Sequence, residues 1–234
     1  MTVIPGHVFM DSKQKSSPRK AGAAAGWRSG LALGFVALLG TGLLAGVDHL
    51  TRARIAQQER RAVLQQLNQI IAPDRYDNAM HDDRYSFVDP AWFPSAQTVT
   101  VYRARLQGDP VAVVLKLDAT DGYNGAIRLL VGINFDGSIA GVRAVSHKET
   151  PGLGDAMETD KSDWIYGFEQ RSLSNPDQAA WTVKRDGGAF DQFSGATITP
   201  RAIVKAVKLA LQYFAANRDK LFEHAADLKL AEQS

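Results

Sequence analysis

The apolar and polar positions divide the chain into an uncharged N-terminal segment and a longer stretch of mixed character. No residue between Arg28 and Asp48 is charged. As a helix with a rise of about 1.5 Å per residue, this segment would extend roughly 28 Å, close to the hydrocarbon thickness of a bilayer. We therefore predict a transmembrane helix over residues 27–50. A cleaved signal peptide is the alternative, but its apolar region is usually about 7–15 residues long and ends at a small-x-small site, which does not follow here.

The charges that flank this segment leave its orientation open, because basic residues are nearly balanced on its two sides. Long domains cross the membrane largely regardless of charge. We therefore expect a basic cytoplasmic tail over residues 1–26, a single crossing, and the C-terminal domain on the outer side.

The next segment, residues 51–75, is predicted to form a juxtamembrane helix or stalk. Leu64, Leu67 and Ile71 share one face of this helix. The alternative is that it forms the first core helix of the domain. Residues 72–97 contain many turn formers and charges and are predicted to be irregular.

In the middle of the chain, apolar and polar residues alternate as they do in strands. The turn QGDP separates the first two of these strands, and the turn FDGS separates the next two. Such short connections favour antiparallel pairing. We also predict a short helix within residues 161–173 and a last strand at 181–186. The fold class is therefore α+β, a mostly antiparallel sheet domain with packed helices over residues 76–225, followed by a tail at 226–234. The four main strands are predicted at 98–106, 111–118, 126–134 and 139–146.

A long helix is predicted near the C-terminus, with Thr199 as its N-cap and Pro200 at its first helical position. One face of this helix is apolar and another is basic. The apolar stripe comprises Ile203, Val207, Ala210 and Phe214, and the basic one comprises Arg201, Lys205 and Lys208.

The amino-acid composition excludes several kinds of site and partner. The chain has no cysteine, which excludes disulfides, thiolate zinc sites, its own iron–sulfur cluster and a cysteine nucleophile. The net charge of +2 gives no support for a nucleic-acid partner.

The segment SGATIT, residues 194–199, gathers three hydroxyls and two minimal side chains at the start of the last helix. A helix N-terminus binds phosphate readily, and Gly195 and Ala196 would let an anion approach the backbone. A threonine hydroxyl here could itself be esterified to a phosphate. The alternative is an ordinary helix cap, since Ser and Thr at such positions are usually structural.

The segment HKETPGLGDAM, residues 147–157, is the second candidate. Glu149 and Thr150 could hydrogen-bond a ligand beside a turn at Gly152 and Gly154. The alternative is a structural turn. His147 and Glu149 could suggest a metal, but no third ligand is evident, and we predict no metal site.

The motifs SGATIT, ETPGLG and DGYNGAI (121–127) together resemble those of proteins that carry covalent flavin mononucleotide, FMN. Over roughly residues 25–225 the chain is similar to the G-subunit family of Rnf-type ion-translocating electron transport complexes, which is related to the C subunit of sodium-translocating NADH:quinone reductase. The resemblance implies that Thr199 bears FMN through a phosphodiester. It places the rest of the cofactor site at Ser194, Gly195, Ala196, Thr197, Glu149, Thr150, Gly152, Leu153 and Gly154.

The resemblance also implies a function. The chain would be a membrane-anchored subunit in the bacterial inner membrane, with its C-terminal domain on the periplasmic side. Its FMN would relay electrons among other membrane and iron–sulfur subunits of a complex that couples electron transfer to ion translocation. The chain would hold no catalytic residues of its own, and a separate flavin transferase that uses FAD and a divalent metal would attach the cofactor.

Two other functions remain open at this point. One is a membrane-anchored interaction or regulatory module with an FMN-binding-like domain but no redox role. The other is a related reductase subunit or membrane regulator with the same domain. A hydrolase is disfavoured, because Ser194 has no general base near it in the sequence.

Overall fold

The structure is a computed structural model that describes residues 33–43, 58, 60–93 and 96–223. The chain divides into two units, Met1–Ala56 and Gln57–Ser234. In the first unit, residues 33–43 form helix α1, and its side chains are exposed. Among the described residues, no helix has both the length and the apolar character needed to cross a membrane. Apart from α1, the predicted span at 27–50 lies outside the described residues, as do the predicted tails at 1–26 and 226–234.

The second unit is built on a five-stranded sheet in which each strand pairs with the next one along the chain. Every pair is antiparallel, as the short turns predicted. The four predicted main strands are confirmed. The predicted α+β class is confirmed as well. In order, the strands are β1 (Arg84–Val88), β2 (Thr98–Leu106), β3 (Asp109–Ala119), β4 (Ile127–Asn134) and β5 (Ile139–Ser146).

Helices cover both faces of the sheet, which explains why the central strands are apolar on both sides. One face carries the larger core, in which Val113 and Leu115 of β3 pack with the last helix, α3 (Ile198–Phe222). The other face packs alternate residues such as Val114 against helix α2, residues 60–68, and the turn after it.

Helix α2 belongs to the core of this unit. Leu67 and Ile71 are fully buried against the sheet, and a Cβ built on Gly132 of β4 would lie 2.1 Å from Cγ2 of Ile70. Gly132 therefore lets the turn after α2 approach the strand. For residues 60–71, this packing favours a core helix over a free stalk. Residues 51–57 of the predicted stalk lie outside the described residues.

Helix α3 has the predicted apolar stripe, and all four of its residues are buried. The helix departs from helical geometry at Asn217 (φ −130°, ψ 18°). At its C-terminal end, Arg103 and Arg105 of β2 donate hydrogen bonds to the carbonyls of Glu223 and Phe222. Cationic side chains at this end offset the partial negative charge of the helix.

Two predictions in the loops are wrong. Residues 72–97 are not wholly irregular, because β1 pairs with β2 at the edge of the sheet. Residues 181–186 do not form a strand: Val183 makes only a single bridge to Phe190, and the chain then turns into a 3₁₀ helix, Lys184–Asp186. Gly187, at φ 84°, ends that helix in the left-handed conformation that glycine favours. The short helix predicted within 161–173 is a 3₁₀ helix, Trp164–Phe168.

Candidate functional site

Three glycine-containing segments meet at the N-terminal end of α3. Residues 121–127 connect β3 to β4, and residues 147–157 follow β5. Because β4 and β5 are antiparallel, with Arg128 opposite Ser146, the start of β4 and the end of β5 lie at the same edge of the sheet. The sheet topology therefore brings the first two segments together, and residues 194–199 join them as α3 begins.

Thr199 and Glu149 form the centre of this cluster. Thr199 is fully buried and Glu149 is 5% exposed. The Thr199 hydroxyl donates a hydrogen bond to Oε2 of Glu149, and the backbone N–H of Asn124 donates to Oε1 at 3.0 Å. The side-chain amide of Asn124 also donates to Oγ1 of Thr150 at 3.2 Å. One buried carboxylate thus ties all three segments together.

Glu149 has no basic side chain as a partner within the part of the chain that the structure describes. None of the salt bridges formed there includes Glu149. Hydrogen bonds from a hydroxyl and a backbone amide hold the group, and it lies beside the first turn of α3, where the helix carries partial positive charge. A buried carboxyl group is costly to accommodate unless hydrogen bonds compensate it, and here the hydroxyl and the amide do so.

Glycine is required where the segments touch. A Cβ built on Gly154 would lie 2.9 Å from Cβ of Glu149, 3.0 Å from its Oε2 and 3.3 Å from Oγ1 of Thr199. A Cβ on Gly122 would lie 2.2 Å from the carbonyl oxygen of Gly125 and 3.1 Å from Oε1 of Glu149. Two glycines from different segments therefore make room for the same carboxylate.

The start of α3 differs from the prediction. The helix begins at Ile198 with Thr197 as its N-cap, so Thr199 and Pro200 lie within its first turn. The hydroxyl of Thr199 donates to Glu149 and does not cap the helix. Pro200 fits there, since the first N–H groups of a helix have no partner within the helix. The side chain of Thr197 makes no capping hydrogen bond, so within the described residues it leaves the backbone N–H groups of Ile198 and Thr199 to other acceptors.

A cavity of about 280 Å³ opens at this cluster. It is lined by eight of the ten predicted cofactor residues, namely Glu149, Thr150, Leu153, Gly154, Gly195, Ala196, Thr197 and Thr199. Gly152 and Ser194 do not line it, and both are exposed. Sequence reasoning missed Tyr123 and Ile198, which line the cavity and are 67% and 43% exposed. Tyr123 belongs to the DGYNGAI motif, but the spacing of that motif did not predict that Tyr123 lies beside α3.

Internal hydrogen bonds fix the conformation of the second segment. Gly152, at φ 77°, donates its backbone N–H to Oδ1 of Asp155 at 2.8 Å. This hydrogen bond holds the pKa of Asp155 below its ordinary value. Nε2 of His147 lies 2.8 Å from Oε1 of Glu158, and its Nδ1 accepts the backbone N–H of Glu149. His147 thus shapes the loop from outside the cavity.

Ion pairs fasten the basic stripe of α3 to neighbouring loops. Lys205 contacts Asp121, just before the DGYNGAI glycines, at 2.5 Å, and Arg201 makes two hydrogen bonds to Asp186. The hydrogen bond from Lys205 lowers the pKa of Asp121, and that from Arg201 lowers the pKa of Asp186. The predicted basic face is therefore paired at these positions. A larger cavity of about 870 Å³, around Phe135 and the C-terminal end of α3, contains none of the predicted site residues.

Comparison with known proteins connects this cluster with a cofactor. Residues 122–212 match the FMN-binding domain family, and residues 23–70 match the RnfG N-terminal region. The G subunit of an ion-translocating oxidoreductase complex from Pseudomonas aeruginosa (strain UCBPP-PA14) is 50% identical over 194 residues, covering 83% of this chain and 91% of the relative. The chain belongs to this G-subunit family.

Two further G subunits of such complexes agree with this assignment. The one from Shewanella piezotolerans is 44% identical over 203 residues, covering 87% of this chain and 96% of the relative. The one from Vibrio atlanticus is 43% identical over 194 residues, covering 83% and 92%. The predicted family is therefore confirmed. The FMN-binding domain match includes Glu149, Thr199 and the other residues that line the cavity.

Proposed function

We propose that this member of the G-subunit family carries FMN as a phosphodiester on Oγ1 of Thr199 and relays electrons within a membrane complex that couples electron transfer to ion translocation. The observation that carries the proposal is the position of Thr199, which lines the cavity where all three motif segments meet. The names of its relatives support the assignment to an oxidoreductase complex.

The residues around Thr199 fit the phosphate end of a flavin nucleotide. The uncapped start of α3 presents backbone N–H groups and partial positive charge, both of which favour an anion. Gly195, at φ 82°, and Ala196 keep side-chain bulk away from that end. Esterification of Oγ1 would hold the phosphate at this position without further residues. Bound here, FMN would supply the redox chemistry, while the chain supplies position and electrostatics.

The cavity supports exchange of electrons with other subunits. Its volume of about 280 Å³ is slightly below the range of small-molecule sites, roughly 300–1,000 Å³. Part of a bound flavin would therefore extend past Tyr123, Leu153 and Ile198, whose side chains are exposed at the rim. The chain has no cysteine for an iron–sulfur cluster of its own, so in this proposal other membrane and iron–sulfur subunits supply the donor and the acceptor.

The proposal includes a membrane anchor. We assign the span to residues 27–50, which are free of charge between Arg28 and Asp48, and place the chain in the bacterial inner membrane with its C-terminal domain on the periplasmic side. Covalent attachment would keep the cofactor from being lost outside the cytoplasm. A flavin transferase that uses FAD and a divalent metal would attach it.

Replacement of Thr199 by valine tests the attachment, because valine keeps the shape and removes the hydroxyl. We expect no covalent flavin in Thr199→Val, measured by mass spectrometry and by in-gel fluorescence of protein produced with the transferase. The variant should still fold, although loss of the donor to Glu149 costs about 1–3 kcal/mol of unfolding free energy.

Two variants control this experiment. Thr199→Ser keeps a hydroxyl and should remain a flavin acceptor, whereas Thr159→Val changes an exposed threonine outside the cavity and should leave the yield unchanged. Covalent flavin retained in Thr199→Val would show that another residue carries it, and a colourless wild type would favour an interaction module without a redox role.

A further inference from the structure

Asn124 and Gly125 form the only Asn-Gly pair in the chain, and the pair lies in the segment that holds Glu149 at the cavity. We propose that Asn124 is a site of spontaneous modification, in which its side-chain amide is lost and an isoaspartate forms. The substrate is the folded chain itself, and the co-reactant is water. The proposal concerns the chain without cofactor and does not depend on where or how FMN is attached.

The reaction needs a backbone nitrogen that can attack the side-chain amide of the residue before it. The nitrogen of Gly125 attacks Cγ of Asn124, a C–N bond closes a succinimide ring, and the bond from Cγ to Nδ2 breaks. The proton of the backbone nitrogen leaves with Nδ2 as ammonia. Water then opens the ring at either carbonyl to give aspartate or isoaspartate, and no electrons are gained or lost. Asparagine is a thermolabile residue, and a following glycine favours ring closure because it has no Cβ.

The structure leaves the attacking nitrogen accessible. Asn124 and Gly125 are both exposed, and a Cβ built on Gly125 would meet no atom within 4 Å. Gly125 has a φ of 122°, which residues with a side chain rarely adopt. No backbone carbonyl of the described residues accepts the N–H of Gly125. Solvent therefore reaches this N–H and can remove the proton that ring closure requires.

Another asparagine of the same sheet unit provides an internal reference. Asn134 is 8% exposed, its Nδ2 donates to Ser138, and its Oδ1 accepts from Arg75. The residue after it is a phenylalanine, whose side chain hinders ring closure. The side chain of Asn124, by contrast, makes one hydrogen bond within the described residues, at 3.2 Å to the exposed Thr150. We therefore expect Asn124 to react and Asn134 to keep its amide.

Conversion to isoaspartate would disturb the contact with the carboxyl group of Glu149. The backbone of an isoaspartate runs through the side-chain methylene, so the connection from β3 to β4 gains one backbone atom. The N–H of Asn124 is held by Oε1 of Glu149 at 3.0 Å, and the connection ends where Ile127 pairs with Ala119. The added atom must therefore displace one of these two contacts. The new carboxylate also lacks the N–H that donates to Thr150.

A time course on the full-length wild type tests the modification. The chain without flavin is kept in detergent and mildly alkaline buffer, and its peptides are followed by mass spectrometry. Deamidation gives the small mass increase that results when an NH₂ group is replaced by OH. Isoaspartate is identified by an isoaspartyl methyltransferase with a labelled methyl donor. We expect both signals to grow at Asn124 and neither to grow at Asn134.

Two variants separate the modification from its effect on the site. Asn124→Ser keeps the backbone N–H and has no side-chain amide, so the methyl label should be lost. Asn124→Asp, used when freshly prepared, has the charge of the product on an ordinary backbone. Hydrogen–deuterium exchange in residues 121–127 should therefore be faster in the isolated isoaspartate form than in Asn124→Asp.

The outcomes distinguish the two parts of the proposal. If Asn124 keeps its amide in the folded chain but loses it in the urea-unfolded chain, the turn protects the pair and the modification is wrong. Equal loss of the amide at Asn134, or methyl label retained in Asn124→Ser, also contradicts it. If isoaspartate forms but residues 121–127 exchange as they do in Asn124→Asp, the predicted disturbance of the Glu149 contact is wrong.

Discussion

Gly154→Ala tests whether the close contact of the three segments holds the site together. The added Cβ would lie 2.9 Å from Cβ of Glu149 and 3.0 Å from its Oε2, both closer than van der Waals contact. Glu149 cannot move aside freely, because Thr199 and Asn124 each hold one of its oxygens. Overpacking of this kind costs typically about 1–3 kcal/mol. We expect a value in the upper part of that range, since relief of the clash strains hydrogen bonds to a buried carboxylate.

The assay for this variant measures both stability and modification. Urea unfolding of the flavin-free protein gives the change in unfolding free energy, and intact mass gives the yield of covalent flavin. A methyl group on Gly154 would also lie 3.3 Å from Oγ1 of Thr199, so the yield should fall together with the stability.

A matched glycine is available as the control. A Cβ on Gly167, in the Trp164–Phe168 helix, meets no atom within 4 Å, and the backbone there is not left-handed. Gly167→Ala should therefore change the unfolding free energy by no more than about 0.5 kcal/mol. If Gly154→Ala behaves like Gly167→Ala in both measurements, the segments are not tightly packed around Glu149.

Two further predictions concern the loop and the core. The Gly152 N–H stabilises the ionised form of Asp155, whose pKa is lower in the folded state, so this contribution is present above about pH 4 and is lost as the pH falls through the lowered folded-state value. Asp155→Asn should therefore lose less unfolding free energy than the wild type between about pH 6 and about pH 3, measured in urea, and an identical pH dependence would contradict this. Phe214→Ala, at a residue that is 2% exposed in the core under α3, should cost about 3–5 kcal/mol by the same unfolding measurement, and a cost under about 1 kcal/mol would show that α3 is not packed as described.

The main strands could be predicted because local signals coincide with the tertiary fold. Turn sequences separate β2 from β3 and β4 from β5, and apolar residues continue through strands that are buried on both faces. The strand β1 has no such signal, since it has only five residues, alternates between exposed and half-buried positions, and lies at the edge of the sheet. Residues 181–186 have strand-like composition, but the turn at Lys184–Asp186 ends the pairing of Val183 after one bridge.

The site could be predicted only in part, because its central contact is long-range. The residue types identified SGATIT and ETPGLG, and the sheet topology then placed both beside the cavity. The hydrogen bond from Thr199 to Glu149 joins residues 50 positions apart, and no local pattern reveals it. Asn124 was missed for a related reason, since its role depends on a backbone N–H that almost any residue type could supply.

The most direct test of the central claim is peptide mass spectrometry on the full chain purified from its own membranes. We predict that the peptide containing Thr199 carries the mass of FMN less one water, and that fragmentation places the addition on Thr199. An unmodified peptide from cells that contain the transferase, or an addition placed on Thr197, would contradict the claim.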